Sequence, residues 1–149
     1  MNLVVLDASV AAKWLVWAGE PFEAEALGLL NQRNEGQIDF VVPDLFWAEI
    51  GNVIWKAAHR GRCSLDQAGE SIRALQNYDL ATAPSDELLH EALRIAHRYQ
   101  RSFYDSIYLA LAVSQQIEFV TADERLANAV AAHLPVKWLG ARSNIVSIV

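Results

Sequence analysis

The 149-residue chain has a single cysteine, Cys63. That excludes an internal disulfide framework and any zinc site built from several cysteines, and it suits a reducing cytosol. No apolar run approaches the roughly 18 residues that a membrane span requires. No basic residue precedes the first apolar stretch, which Asp7 interrupts, so a secretory signal is not expected. Positive charge is scarce: 12 Lys and Arg against 18 Asp and Glu leave a net charge of −6, which on its face argues against nucleic acid as a partner. His59, His90, His97 and His133 show no HExxH or other ligand spacing. No Gly/Ser linker, repeat or low-complexity run marks an internal boundary. A soluble, cytoplasmic protein is expected, folding as one domain over residues 1–149 and large enough to bury a core.

Hydrophobic residues are abundant, at 53% with five Trp, so the chain folds rather than staying disordered. "LVVL" (3–6) reads as a first strand and residues 10–17 as a nearly all-apolar helix. "PFEAEALGLLNQ" has the Pro-first, acid-early start of a helix. "IDFVVP" (38–43) is a second strand. Residues 44–61 form a long helix with Asp44 as its N-cap and Gly61 as its stop. Residues 64–78 open on a Ser-x-x-Gln capping box. A third strand at 80–84 precedes helices at 85–100 and 102–116, a strand at 117–123, a helix at 124–134 and a last strand at 136–139. Strands alternate with helices throughout, which favours a parallel sheet covered on both faces.

Most acids fall on polar faces or in first helical turns; four do not. Asp7 ends the first strand and Asp123 ends "IEFVTAD", and in a parallel sheet ligands collect outside the carboxyl ends of the strands. Glu49 projects from an apolar stripe between Leu45, Phe46 and Val53, with no Lys or Arg one turn away. Asp105 opens a buried helix. Each has a plainer explanation. Asp7 could cap the first helix, as could Ser9; Asp123 lies within a Thr121–Glu124 capping box; Asp105 completes a Ser-x-x-Asp version. The set of four makes sense together if all meet at one sheet edge. Converging carboxylates repel one another and need a counter-charge. An oxygen-only site suits Mg²⁺ or Mn²⁺ better than zinc, and such ions serve phosphodiester hydrolysis.

"VVLDASVAAKW", "PDLFWAEIGNVIWK", "SFYDSIYLALA" and "FVTADERLANA" together resemble the PIN-domain ribonucleases, in particular the VapC toxins of toxin–antitoxin pairs. The match runs from the first strand to the last helix. The resemblance implies a three-layer α/β/α fold whose mainly parallel sheet of about four or five strands is flanked by helices. It implies Mg²⁺- or Mn²⁺-dependent endoribonuclease activity, an RNA substrate, a homodimer, and inhibition by a VapB-type antitoxin. Carried over by position, the family's four acids fall on Asp7, Glu49, Asp105 and Asp123, with Asp7 and Asp105 the leading metal ligands. Ser9 and Thr121 match small hydroxyl residues that orient a water or a phosphate.

Two short segments hold half of the basic residues: Lys56, Arg60 and Arg62, then Arg94, Arg98 and Arg101. Lys56, Arg60, Arg62, Arg98 and Arg101 are the candidate RNA contacts; cations near helix C-termini also complement the helix dipole. Trp14, Trp17, Trp47 and Trp55 read mostly as core, with the Trp14–Trp17 helix a candidate dimer or antitoxin surface. Two other readings remain open. One is a non-catalytic PIN-like binding module whose acids merely cap helices. The other is an aspartyl phosphotransferase or phosphatase, which would want a second acid near Asp7 where this chain has Ser9.

Overall fold

A computed structural model describes residues 2–15 and 19–142. Five parallel strands form one sheet: β1 (Asn2–Leu6), β2 (Ile38–Pro43), β3 (Ala81–Ala83), β4 (Glu118–Thr121) and β5 (Val136–Trp138). Their order is β3-β2-β1-β4-β5. Val5 pairs with Val41 on one side and with Phe119 on the other, so β1 is central. Val5, Leu6, Phe40, Val42, Phe119 and Val120 are wholly buried. Such continuous apolar runs belong to strands covered on both faces. Burying each of these side chains contributes about 1.5–3 kcal/mol.

The helices are α1 (Ala8–Ala11), α2 (Glu23–Asn34), α3 (Leu45–His59), α4 (Leu65–Asn77), α5 (Leu89–Tyr99), α6 (Phe103–Gln115) and α7 (Glu124–Val130). The chain moves outward from β1 to β2 and β3, then crosses over to β4 and β5. Right-handed crossovers therefore put α1–α4 on one face and α5–α7 on the other. Within those layers α1 packs on α3, α3 on α4, and α5 on α6. The expected α/β/α architecture is thus the observed one, with every strand pair parallel.

Local chemistry accounts for several boundaries. Ser64 and Gln67 form both bonds of the capping box that starts α4. Gly61 ends α3 with a φ of 73°, a conformation that favours glycine. Other expectations need correction. The first helix begins at Ala8 and tightens into a 3₁₀ turn over Ala12–Trp14; Trp17 lies outside the described residues. Phe22 sits in the left-handed region, so α2 starts only at Glu23 and Pro21 is not in its first turn. The helix expected from 85 starts as a 3₁₀ turn over Ser85–Leu88. Asp44 occupies the N-cap position of α3 as expected, but its side chain makes no capping bond: the carboxylate accepts hydrogen bonds from the Ser85 amide, at 3.1 Å, and from the Ser85 hydroxyl.

Candidate active site at the sheet switch point

The strand order reverses direction between β1 and β4, and the crevice outside their carboxyl ends is where open α/β sheets bind ligands. Asp7 follows directly on β1. It occupies the N-cap position of α1, yet its side chain makes no capping bond. Instead the Thr121 hydroxyl, at the end of β4, donates to Asp7 Oδ2 at 2.7 Å, and the Ser9 hydroxyl donates to the same oxygen at 2.9 Å. Both hydroxyls in turn accept amide hydrogens from the β4–α7 turn: Ser9 from Ala122 at 3.1 Å, Thr121 from Asp123 at 3.0 Å. These are amide-to-hydroxyl-to-carboxylate chains, in which each bond polarises the next. Ser9 and Thr121 therefore give their protons to Asp7 rather than to a water or a phosphate. Among the described residues no donor is paired with Asp7 Oδ1.

The other three acids arrive from different elements. Glu49 lies one turn into α3, half-buried, and accepts the Tyr108 hydroxyl on Oε1 at 2.6 Å. Asp105 stands in the first turn of α6, where Ser102 caps the helix by accepting its amide at 3.0 Å. Asp123 is itself the cap of α7, accepting the Leu126 amide on Oδ1 at 3.1 Å. The cap of α7 is thus Asp123, not Thr121 as its sequence position suggests. The plainer account fits one oxygen of Asp123, half-fits Asp105, and fails for Asp7.

Electrostatics ties the four together. Burial pushes the Asp7 carboxyl up, the two hydroxyls pull it down, and the charges of Glu49 and Asp105 push it up again, to about 6. Glu49 is raised by burial and by Asp105, against the pull of the Tyr108 hydroxyl. Asp105 is raised by burial and by Asp123, while the Ser102 bond and the Arg101 charge lower it. Asp7, Glu49 and Asp105 are each raised by at least one other acid of the set, and Asp123 acts on Asp105. Among the described residues no ion pair reaches any of them.

The same residues do not close into a preformed cage: no group of three His, Cys, Asp or Glu among those described is spaced to hold a metal ion. An ion that keeps several waters and takes one or two carboxylates, as Mg²⁺ does, fits an open, all-oxygen arrangement with an uncompensated charge. Asp7, with Oδ1 undonated, and Asp105 would be its direct holders.

Arg101 is the one basic candidate whose charge registers on an acid of the site. Arg98 stacks over Tyr99 at 5.4 Å, and Arg94 pairs with Glu91. Lys56 and Arg60 are exposed along and just beyond α3. Arg62 lines a separate cleft of about 450 Å³, with Trp14, Leu15, Cys63, Leu75 and Tyr78, to which none of the four acids contributes. Trp14 packs inward against Phe40 and Tyr78 and donates to the Ala26 carbonyl at 2.8 Å, so it belongs to the core edge. Tyr108 was missed as a site residue. Its signal was a hydroxyl inside the apolar run "IYLALA", which had to find a partner.

The PIN-domain family model matches residues 4–131, from β1 through α7. The chain belongs to the PIN-domain family. Within it, the resemblance to VapC proteins holds across nearly the whole sequence. Ribonuclease VapC1 of Mycobacterium tuberculosis is 30% identical over 131 residues, covering 87% of this chain and 92% of the relative. Ribonuclease VapC3 of Pyrobaculum aerophilum is 29% identical over 129 residues, covering 85% of this chain and 93% of the relative. A toxin–antitoxin complex from Klebsiella pneumoniae shares the family fold, with a TM-score of 0.64 at 17% identity, covering 91% of this chain and 97% of that one.

Proposed function

We propose that this protein is a Mg²⁺- or Mn²⁺-dependent endoribonuclease, the toxin of a cytoplasmic toxin–antitoxin pair, with Asp7, Glu49, Asp105 and Asp123 as its site. The observation that carries the reading is Asp7 at the end of β1, its carboxyl raised to about 6 beside two further acids and without an ion-pair partner among the described residues. A site of like charges at a strand-end crevice is costly unless a cation completes it. The curated relatives named as ribonucleases support the substrate class. The toxin–antitoxin complex of like fold supports a VapB-type antitoxin as partner. The homodimer belongs to the same family expectation.

In this reading Asp7 and Asp105 would hold the cation directly, and Glu49 and Asp123 would hold it through water. Bound there, the ion supplies positive charge to a phosphate and makes a water more acidic. Ser9 and Thr121 keep Asp7 ionised and aimed, because their hydroxyls favour the charged carboxylate. Arg101, beside Asp105, draws the RNA backbone to an otherwise negative crevice. Proton delivery to the leaving oxygen has no assigned side chain, since the nearby hydroxyls are committed to carboxylates.

The test is cleavage of single-stranded RNA by purified protein with Mg²⁺ or Mn²⁺. Activity is expected to vanish with EDTA and to fall more than about a hundredfold in Asp7→Asn, with the circular dichroism unchanged. Cleavage that survives either change removes the proposal. The binding-module reading makes the opposite prediction: Mn²⁺ affinity no better than a generic acidic surface, and no cleavage.

A further inference from the structure

We propose that Tyr108 is a positioning residue that holds the Glu49 carboxylate in place for the divalent cation, an inference that rests on the metal reading above. Tyr108 lies in the wholly buried stretch of α6 from Ser106 to Ala112 and is 1% exposed. Its ring stacks on Phe119 of β4, with centroids 5.3 Å apart and planes at 22°. A ring fixed by burial and stacking has little freedom, so its hydroxyl is delivered to one point. That point lies over the end of β1: the hydroxyl donates to Glu49 Oε1 at 2.6 Å and faces the Ala8 amide.

α6 and α3 belong to opposite layers of the sheet, so this bond joins the two sides of the crevice. A donor–acceptor separation of 2.6 Å is in the range of charge-assisted bonds, which are about twice as strong as neutral ones. Glu49 needs such a hold. Its side chain has three rotatable bonds, stands on an apolar stripe, and is pushed away from its charged form by burial and by Asp105. The Tyr108 hydroxyl favours the charged form and restricts Oε1, while among the described residues no donor is paired with Oε2. Burial and the charges of Asp7 and Glu49 keep the phenol protonated, so it acts as a donor throughout. The competing explanation is that Glu49 merely satisfies a core tyrosine.

The experiment titrates Mn²⁺ alone into the purified chain, followed by electron paramagnetic resonance, for the parent, Tyr108→Phe, Glu49→Ala and the double variant. Phe fills the same volume, so a melting temperature within a few degrees of the parent is expected. Mn²⁺ affinity should fall about tenfold in Tyr108→Phe, and Tyr108→Phe should cost nothing further in the Glu49→Ala background. Glu49→Asp keeps the charge but shortens the reach to the phenol, and should lose a similar factor. Parent-like affinity in Tyr108→Phe or in Glu49→Asp overturns the proposal. So does an equal loss from Tyr108→Phe with Glu49 already gone, which would mark a purely structural effect. A parent that binds no Mn²⁺ overturns the metal reading itself and this proposal with it, whereas the other two failures leave that reading standing.

Discussion

Two aspartates follow neighbouring strands at the same edge of the sheet, and they behave in opposite ways. Asp7 follows β1 and Asp44 follows β2. Asp44 is exposed, takes two hydrogen bonds from Ser85, and has its carboxyl held below the usual range by that hydroxyl and amide. Asp7 also takes two hydrogen bonds, at 2.7 and 2.9 Å, yet its carboxyl rises to about 6. Burial and neighbouring acids outweigh the hydroxyls in one case and are small or absent in the other. A strand that ends on Asp therefore indicates little by itself. The surroundings decide whether the acid serves as a tie or as part of a site, and Asp44 is a tie between the ends of β2 and β3.

The sharpest way to test that contrast is the metal-free stability of Asp7→Asn. A raised carboxyl pKa means the folded state binds its proton more tightly than the unfolded chain does. Stability is then greatest below about pH 4, falls as pH rises towards 6, and is flat above. Asp7→Asn should remove that fall and stabilise the chain by about 3 kcal/mol at pH 7, with no gain at pH 4. Urea denaturation in EDTA at both pH values measures it. A variant less stable than the parent at pH 7 would mean that burial and the neighbouring acids do not stress Asp7.

Next in size is Thr121→Val, which removes a donor from Asp7 Oδ2 and the acceptor of the Asp123 amide. With one hydroxyl fewer, the Asp7 carboxyl moves further up. Cleavage should fall about tenfold or more at neutral pH, and the acid limb of the rate profile should move to higher pH. An unmoved limb would separate Thr121 from the ionisation of Asp7. A smaller effect is expected at Arg101. Arg101→Ala should weaken RNA binding several-fold and reduce the salt dependence by about one phosphate contact. Arg62→Ala, on the separate cleft, should leave RNA affinity within about twofold.

The parts legible in the sequence were those written in contiguous residues. "LVVL" announced a buried strand because a doubly covered parallel strand has no polar alternation. The Ser64–Gln67 capping box was readable because both partners sit three residues apart. What stayed hidden depends on pairs remote in the chain. Tyr108 meets Glu49 across 59 residues, and Asp44 meets Ser85 across 41. Adjacency suggested that Asp44 caps α3; the chain instead spends that carboxylate on the other side of β3. The basic segments were hard to sort for a related reason. Helical spacing shows which residues share a face, but not which face meets the crevice, so Arg101 and Arg62 looked equivalent.

Asp44→Ala should be the quietest change to activity and the clearest to the comparison. Cleavage is expected to stay within about twofold of the parent, because no site acid depends on this carboxylate. Its effect belongs to stability, with the sign opposite to that of Asp7. A carboxyl lowered on folding adds stability above the ordinary carboxylate pKa, and loses it as pH falls through the lowered value. Asp44→Ala should therefore lower the melting temperature at pH 7 by a few degrees at most, since the group is exposed, and by less at pH 3. Asp7→Asn should raise it at pH 7 and leave it nearly unchanged at pH 4. If the two variants shifted the melting temperature in the same direction at neutral pH, the division of this sheet edge into a tie and a site would fail. The acids around Asp7 would then be ordinary surface charges.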